Sequence, residues 1–240
     1  MSILKSETGI EWEIKFQPVY SLLEVNLEQG QTMKGEAGAM VFMDKNIDIK
    51  TKKSGGGFFK TVKRMVAGEA FFINTFEATR GPGLMGFAPG YTGDMMHISV
   101  RPGEDDFVIS GGGYMASSLN LDTDTKFQGF KGLFSGESIS FLRCSTQEEP
   151  ADLWIAAYGA FREFNLDPGD EMILDTGHLV AIDATVQYSI RKVGGWKSTI
   201  FSGEGLVLDI KGPGRVIAQS RNPGEFVNWL NPMLPTGKRG

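Results

Sequence analysis

The sequence predicts an all-β protein built from three tandem β-sandwich units, and three observations carry that expectation. A Gly-Glu pair follows a basic-aromatic segment at Gly68-Glu69, Gly136-Glu137 and Gly203-Glu204, with the glycines 68 and 67 residues apart. A regular period of this size marks tandem copies of one supersecondary unit. A second mark recurs in the same order: Val25 to Gly30, Ile98 to Gly103 and Phe164 to Gly169 each read apolar, polar, apolar, two turn residues, glycine. Eight residues after each of these glycines stands another, Gly38, Gly111 and Gly177. Finally, no stretch shows a long helical period capped at both ends, whereas strand-length runs lie between Gly/Pro turns, the pattern of a sandwich or barrel.

Each unit is expected to open on the alternating run just described, half-buried by its period of two and ended by Gln-Gly or Pro-Gly. A further alternating run follows at Ile47-Asp48-Ile49, Leu119-Asn120-Leu121 and Val186-Gln187-Tyr188. The basic-aromatic segment and the Gly-Glu pair come next. They lead into third strands at Ala70 to Phe76, Ser138 to Leu142 and Leu206 to Ile210. A fourth short strand closes each unit near Leu84-Met85, Leu153-Trp154 and Arg215-Val216. The expected boundaries are 16–86, 87–155 and 156–222, with a partly docked tail at 223–240. A lone unit of about 70 residues buries too little apolar surface to be stable alone, so the units should share a continuous core. In the tail, Phe226, Trp229 and Leu230 at i, i+3 and i+4 predict a helical turn or two docked on the barrel. Residues 235–240 are expected to be mobile.

The chain has 240 residues and a formal charge of −5, which argues against bulk affinity for nucleic acid. Its 32 glycines read as turns, because the apolar content is ordinary at 41%. Cys144 is the single cysteine, so no internal disulfide forms and a reducing compartment is indicated. Residues 1–16 carry charges throughout and lack the apolar stretch of a signal peptide. No run approaches the ~20 apolar residues of a spanning helix. The expectation is a cytoplasmic protein that meets a membrane at most peripherally.

The triple Gly-Glu pattern, the Lys/Gly/Phe-rich stretch from Lys52 to Lys60, and Gly68-Glu69-Ala70-Phe71-Phe72 resemble the altered-inheritance-of-mitochondria family of mitochondrial biogenesis proteins. That family has many bacterial and archaeal relatives, and the resemblance runs from about Glu11 to Trp229. It implies three consecutive units like the trp RNA-binding attenuation protein, a short form of the double-stranded β-helix, assembled into rings or trimers. It also implies a poorly defined function, linked in the mitochondrial members to inner-membrane organisation, with no agreed site residues. Without a mitochondrial presequence, the chain reads as a prokaryotic relative.

The basic-aromatic segments are the leading functional candidates. The contact residues singled out are Phe58, Phe59, Lys60, Lys63 and Arg64 in the first, Phe130 and Lys131 in the second, and Trp196 and Lys197 in the third. Such segments suit an anionic lipid surface, with apolar groups in the acyl boundary and cations near phosphates. The competing reading is packing against neighbouring units or subunits, with lysine stems covering apolar surface. Glu69, Glu137 and Glu204 read as repeated structural partners of Lys60, Lys131 and Lys197.

Catalytic, metal and cofactor chemistry find little support. His97 and His178 are the only histidines, with no HxH or CxxC spacing. Cys144 lacks a paired histidine in a recognised order. Gly111-Gly112-Gly113-Tyr114 lacks the GxxxxGK[ST] form of a phosphate loop. RNA binding follows from fold analogy alone. The sequence therefore points to a non-enzymatic scaffold or interaction module without a cofactor. It is expected to form a ring-like homo-oligomer, with a trimer favoured, and to have an anionic membrane surface or another protein as candidate partner. The alternative is a small-ligand-binding protein or enzyme with one asymmetric pocket.

Overall fold

The computed structural model describes residues 3–50, 73–103, 106–124, 141–192 and 206–234. It is nearly all β, as expected. Two short strands come first, β1 (Leu4–Lys5) and β2 (Glu11–Lys15). Six follow: β3 (Leu22–Leu27), β4 (Thr32–Glu36), β5 (Met40–Met43), β6 (Ile47–Lys50), β7 (Ile73–Ala78) and β8 (Gly83–Phe87). Six more are β9 (Gly93–Val100), β10 (Phe107–Ser110), β11 (Tyr114–Ser118), β12 (Asp122–Asp124), β13 (Phe141–Ser145) and β14 (Ala151–Tyr158). The last are β15 (Phe161–Leu166), β16 (Glu171–Asp175), β17 (Leu179–Asp183), β18 (Gln187–Lys192), β19 (Leu206–Lys211) and β20 (Gly214–Gln219). Helix α1 (Pro223–Leu230) follows, and a 3-10 turn at Asn231–Met233 comes after it.

The strands form four antiparallel sheets. The first has the order β1-β2-β3-β8-β5, and the second β6-β7-β4-β11-β14-β9. The third is β12-β13-β10-β17-β20-β15 and the fourth β16-β19-β18. One pairing scheme recurs along the chain: β3-β8-β5, β9-β14-β11 and β15-β20-β17 are equivalent, as are β4-β7-β6, β10-β13-β12 and β16-β19-β18. The second and third sheets each fuse one triplet of each kind. The joints are β4 against β11 and β10 against β17.

Alternation decides how the sheets stack. Leu23, Val25 and Leu27 on β3 face Met33, Phe76 and Trp154 of the second sheet and make the first core. The opposite face of the second sheet, through Leu153, Ile155 and Val100, meets Phe107, Ile109 and Ile217 of the third in a second core. The third sheet turns Val108, Ile182 and Val216 toward Leu208 and Ile210 of the fourth. Strand β14 serves two cores, and every residue from Ala151 to Ala157 is buried.

Several expectations need correction. Leu119 and Asn120 form a turn and Leu121 lies outside β12, because Ser118 Oγ donates to Asn120 Oδ1 at 2.6 Å and the Asn120 amide donates to Pro150 O at 2.9 Å. The chain therefore bends instead of extending there. In the middle loops, Gly112 rather than Gly111 takes the left-handed conformation of Gly38, with φ of 88° and 95°. The offset from Gly103 is thus one residue longer than the sequence marks imply. The tail helix forms, capped by Asn222, whose side chain accepts from Gly224 N at 2.9 Å. It touches the strands through Phe226 against Tyr158, while much of its apolar surface stays open, with Phe226 45% exposed and Trp229 58%.

Candidate functional site

The residues singled out in the basic-aromatic segments, Phe58, Phe59, Lys60, Lys63, Arg64, Phe130, Lys131, Trp196 and Lys197, lie outside the described residues, as do Glu69, Glu137 and Glu204. The strands from which the segments spring are described. Each segment joins the two strands of an antiparallel pair, β6 to β7, β12 to β13 and β18 to β19. The roots are Lys50 beside Thr75, Asp124 beside Arg143, and Lys192 beside Leu206.

These roots share an end of the stack with an aromatic rim. In the second sheet the registers place Glu36 opposite Ile73, Gly35 opposite Ala116, Tyr114 opposite Ile155 and Tyr158 opposite Gly93. Gly93 in turn bridges Tyr20. Tyr91 donates to Gly112 O at 2.7 Å, and its ring meets Tyr158 at 5.7 Å. Tyr158 meets Phe226 of α1 at 5.9 Å, and Phe226 meets Trp229 at 5.8 Å. The Tyr158 amide donates to Gln219 Oε1 at 2.8 Å, which ties this end of the second sheet to the end of β20 from which α1 departs. The turn from Phe16 to Tyr20 and helix α1 thus flank one strand end. Phe16 is 67% exposed, Tyr20 71% and Trp229 58%, and Val19, Val227, Met233 and Leu234 are also exposed. Isolated exposed apolar residues need no explanation, but a rim of large ones marks a contact surface.

Glu36 belongs to the same end, and burial raises its carboxyl to about 7. Burial, helped by the Glu36 charge, raises Tyr91 to about 12.

A second polar cluster lies at the far side of the first core. His97 Nε2 sits 2.8 Å from Asp152 Oδ1, and Thr8 Oγ1 donates to the other oxygen of this fully buried carboxylate. The imidazole packs against two touching indoles, 4.7 Å from the Trp12 ring and 5.2 Å from that of Trp154. The Asp152 amide donates to Ser118 Oγ at 2.9 Å. A nucleophilic triad needs the hydroxyl against the imidazole. Here the hydroxyl meets the carboxylate, so the cluster ties the chain before β2 onto β14.

Cys144 is buried within the second core, and burial raises its thiol to about 12, so it does not present a thiolate. His178 Nδ1 lies 2.7 Å from Gln219 O and secures the loop before β17. Among the described residues no His, Cys, Asp and Glu side chains gather in a group that could hold a metal ion. No helix among them is long and apolar enough to cross a membrane. Sequence reasoning missed the rim on the N-terminal side, although Phe16, Val19 and Tyr20 around Pro18 form an apolar turn visible in the sequence.

Comparison with known proteins gives one consistent picture. The sequence profile of the family described as Mitochondrial biogenesis AIM24 matches residues 4–221. The uncharacterised protein M6_Spy0233 of Streptococcus pyogenes serotype M6 is 30% identical over 224 residues, covering 90% of this chain and 88% of that protein. The crystal structure of protein SPYM3_0169 from Streptococcus pyogenes superposes with a TM-score of 0.78 at 25% identity, over 94% of this chain and 100% of that one.

Proposed function

Because the chain belongs to the Mitochondrial biogenesis AIM24 family, we propose that it acts as a non-enzymatic scaffold of three like units. It self-associates into a ring-like homo-oligomer, a trimer in the simplest case, and presents one end of the stack to an anionic membrane surface. One observation carries this reading. The exposed turn from Phe16 to Tyr20 and helix α1, at the β9–β14 side of the second sheet, share its strand end with the root of the first basic-aromatic segment at the β6–β7 side. Aromatic side chains suit the lipid headgroup boundary, and cations near phosphates add about 1 kcal/mol each. A ring would present several such ends in parallel, so weak single contacts would be multiplied.

The test joins two measurements. Light scattering should return a multiple of the 26.2 kDa chain mass at tens of micromolar. The protein should float with vesicles of phosphatidylglycerol and phosphatidylcholine, and not with phosphatidylcholine alone. Replacing Lys60, Lys63 and Arg64 by Gln should weaken flotation by about two orders of magnitude at low salt while leaving the oligomer intact. A wild-type protein that never floats refutes the membrane role. A triple variant that changes mass instead assigns the segment to subunit packing.

A further inference from the structure

We infer, resting on the self-association proposed above, that β16 of one copy adds antiparallel to β5 of the next, in a register fixed by the two joints inside the chain. In the second and third sheets, a triplet ending in β4 or β10 is continued by a triplet beginning with β11 or β17. The chain ends carry the two unmatched halves. The fourth sheet is only β16-β19-β18, with β16 at its edge, and the first sheet ends on β5. Among the described residues no strand lies beyond either. Joining the fourth sheet to the first would repeat the junction that the chain makes twice internally.

The register follows from two invariants. The strands equivalent to β5 each shift register at one residue when pairing with their neighbour, between Met40 and Phe42, Tyr114 and Ala116, and Leu179 and Ala181. Phe42, Ala116 and Ala181 are therefore equivalent. At the internal joints Ala116 faces Gly35 and Ala181 faces Ile109. Gly35, Ile109 and Leu174 each precede the first residue of the following bulged strand by the same five positions. Leu174 therefore faces Phe42 of the next copy, Ile173 faces Met43 and Met172 faces Asp44.

Burial shows what the seam covers. The bulge residues Met115 and Val180 are 1% and 2% exposed, each packed into the core of the preceding unit. Their counterpart Val41 is 57% exposed. On the receiving side, Val108 is 3% exposed where Ile173 is 61% exposed. Met172, Leu174 and Tyr188 line the open side of the third core, where Val41 of a neighbour would lodge. Edge strands of soluble proteins usually blunt such sites with charge or proline. The apolar centre of β16, Met172-Ile173-Leu174, has neither. A head-to-tail contact between unlike surfaces closes into a ring or runs on as a filament.

The test uses full-length chain. A mixture of Met43→Cys and Ile173→Cys single variants should form a disulfide-linked pair of unlike chains under mild oxidation, because directly opposed residues bring their Cβ atoms within about 5.5 Å. The buried thiol of Cys144 should stay out of the reaction. Met43→Cys with Glu171→Cys should not cross-link, and a link there overturns the register. Val41→Asp should weaken association about a hundredfold, with circular dichroism unchanged, because it sets an unpaired carboxylate in an apolar socket. A wild-type oligomer that gives no 43–173 link and ignores Val41→Asp overturns the seam while self-association stands. A wild-type monomer overturns both.

Discussion

The first and third cores each lie between two sheets, yet they are closed to different degrees. Around the first, Trp12, Trp154, Phe76 and Phe87 are all buried, and the extra strands β1 and β2 widen the covering sheet to five strands. Around the third, the covering sheet has three strands, and Phe164, Leu166, Met172, Leu174 and Tyr188 are only partly buried. The difference teaches where this chain completes itself and where it does not. At its N-terminal side it supplies its own cover, pinned by Thr8 to Asp152 and by the Trp12 ring against His97. At the other side, apolar side chains stay at a sheet edge.

The comparison breaks most severely at Trp154, which is fully buried. Trp154→Ala should cost about 3–5 kcal/mol in urea unfolding, since truncation leaves a large cavity. The parallel change in the third core, Tyr188→Ala, should cost about 1 kcal/mol because that ring is partly exposed already. Equal losses would mean that the third core is as closed as the first. The pin itself comes next. Asp152→Ala removes the acceptor shared by Thr8 and His97 and should cost about 2–3 kcal/mol. It should also speed amide exchange in β1 and β2 more than in β18 and β19.

A smaller effect depends on pH. The Glu36 carboxyl is raised in the folded protein, so the native state holds its proton more tightly than the unfolded chain. The stabilisation from that protonated form is complete below the ordinary carboxylate range and is lost as pH rises through about 7. Glu36→Gln should therefore raise Tm at pH 8 and leave it unchanged at pH 4. The half-buried group keeps part of its hydration, so a gain of about 3 °C is the scale to expect. A gain at pH 4 would point to packing rather than ionisation.

The strands that alternate cleanly, such as Val25-Asn26-Leu27 and Ile98-Ser99-Val100, were legible in the sequence, and with them the all-β class. The strands on the far side of the β4–β11 and β10–β17 joints were not. Tyr114 to Ser118 and Leu179 to Ile182 are buried on both faces, so they show no period of two. A bulge in each further breaks the alternation. Reading the repeated glycines as turn marks located these strands without revealing them. Asp152 and His97 lie far apart in sequence, and nothing local announces that Thr8 reaches the same carboxylate. The basic-aromatic segments were plain in the sequence, and the strand pairs β6–β7, β12–β13 and β18–β19 from which they spring form as antiparallel ladders.

Because the second and third sheets each line two cores, no core is complete without a sheet that it shares with another. Removing either middle sheet would take one wall from two cores at once. Opening the first core would uncover one face of β14 while Leu153 and Ile155 still hold the other. Repeat arrays in which neighbours share so much surface lose independent unfolding and behave as one transition over short lengths. The chain should then melt as one block, with its slowest-exchanging amides in the middle strands β11, β14 and β17 rather than in either terminal sheet.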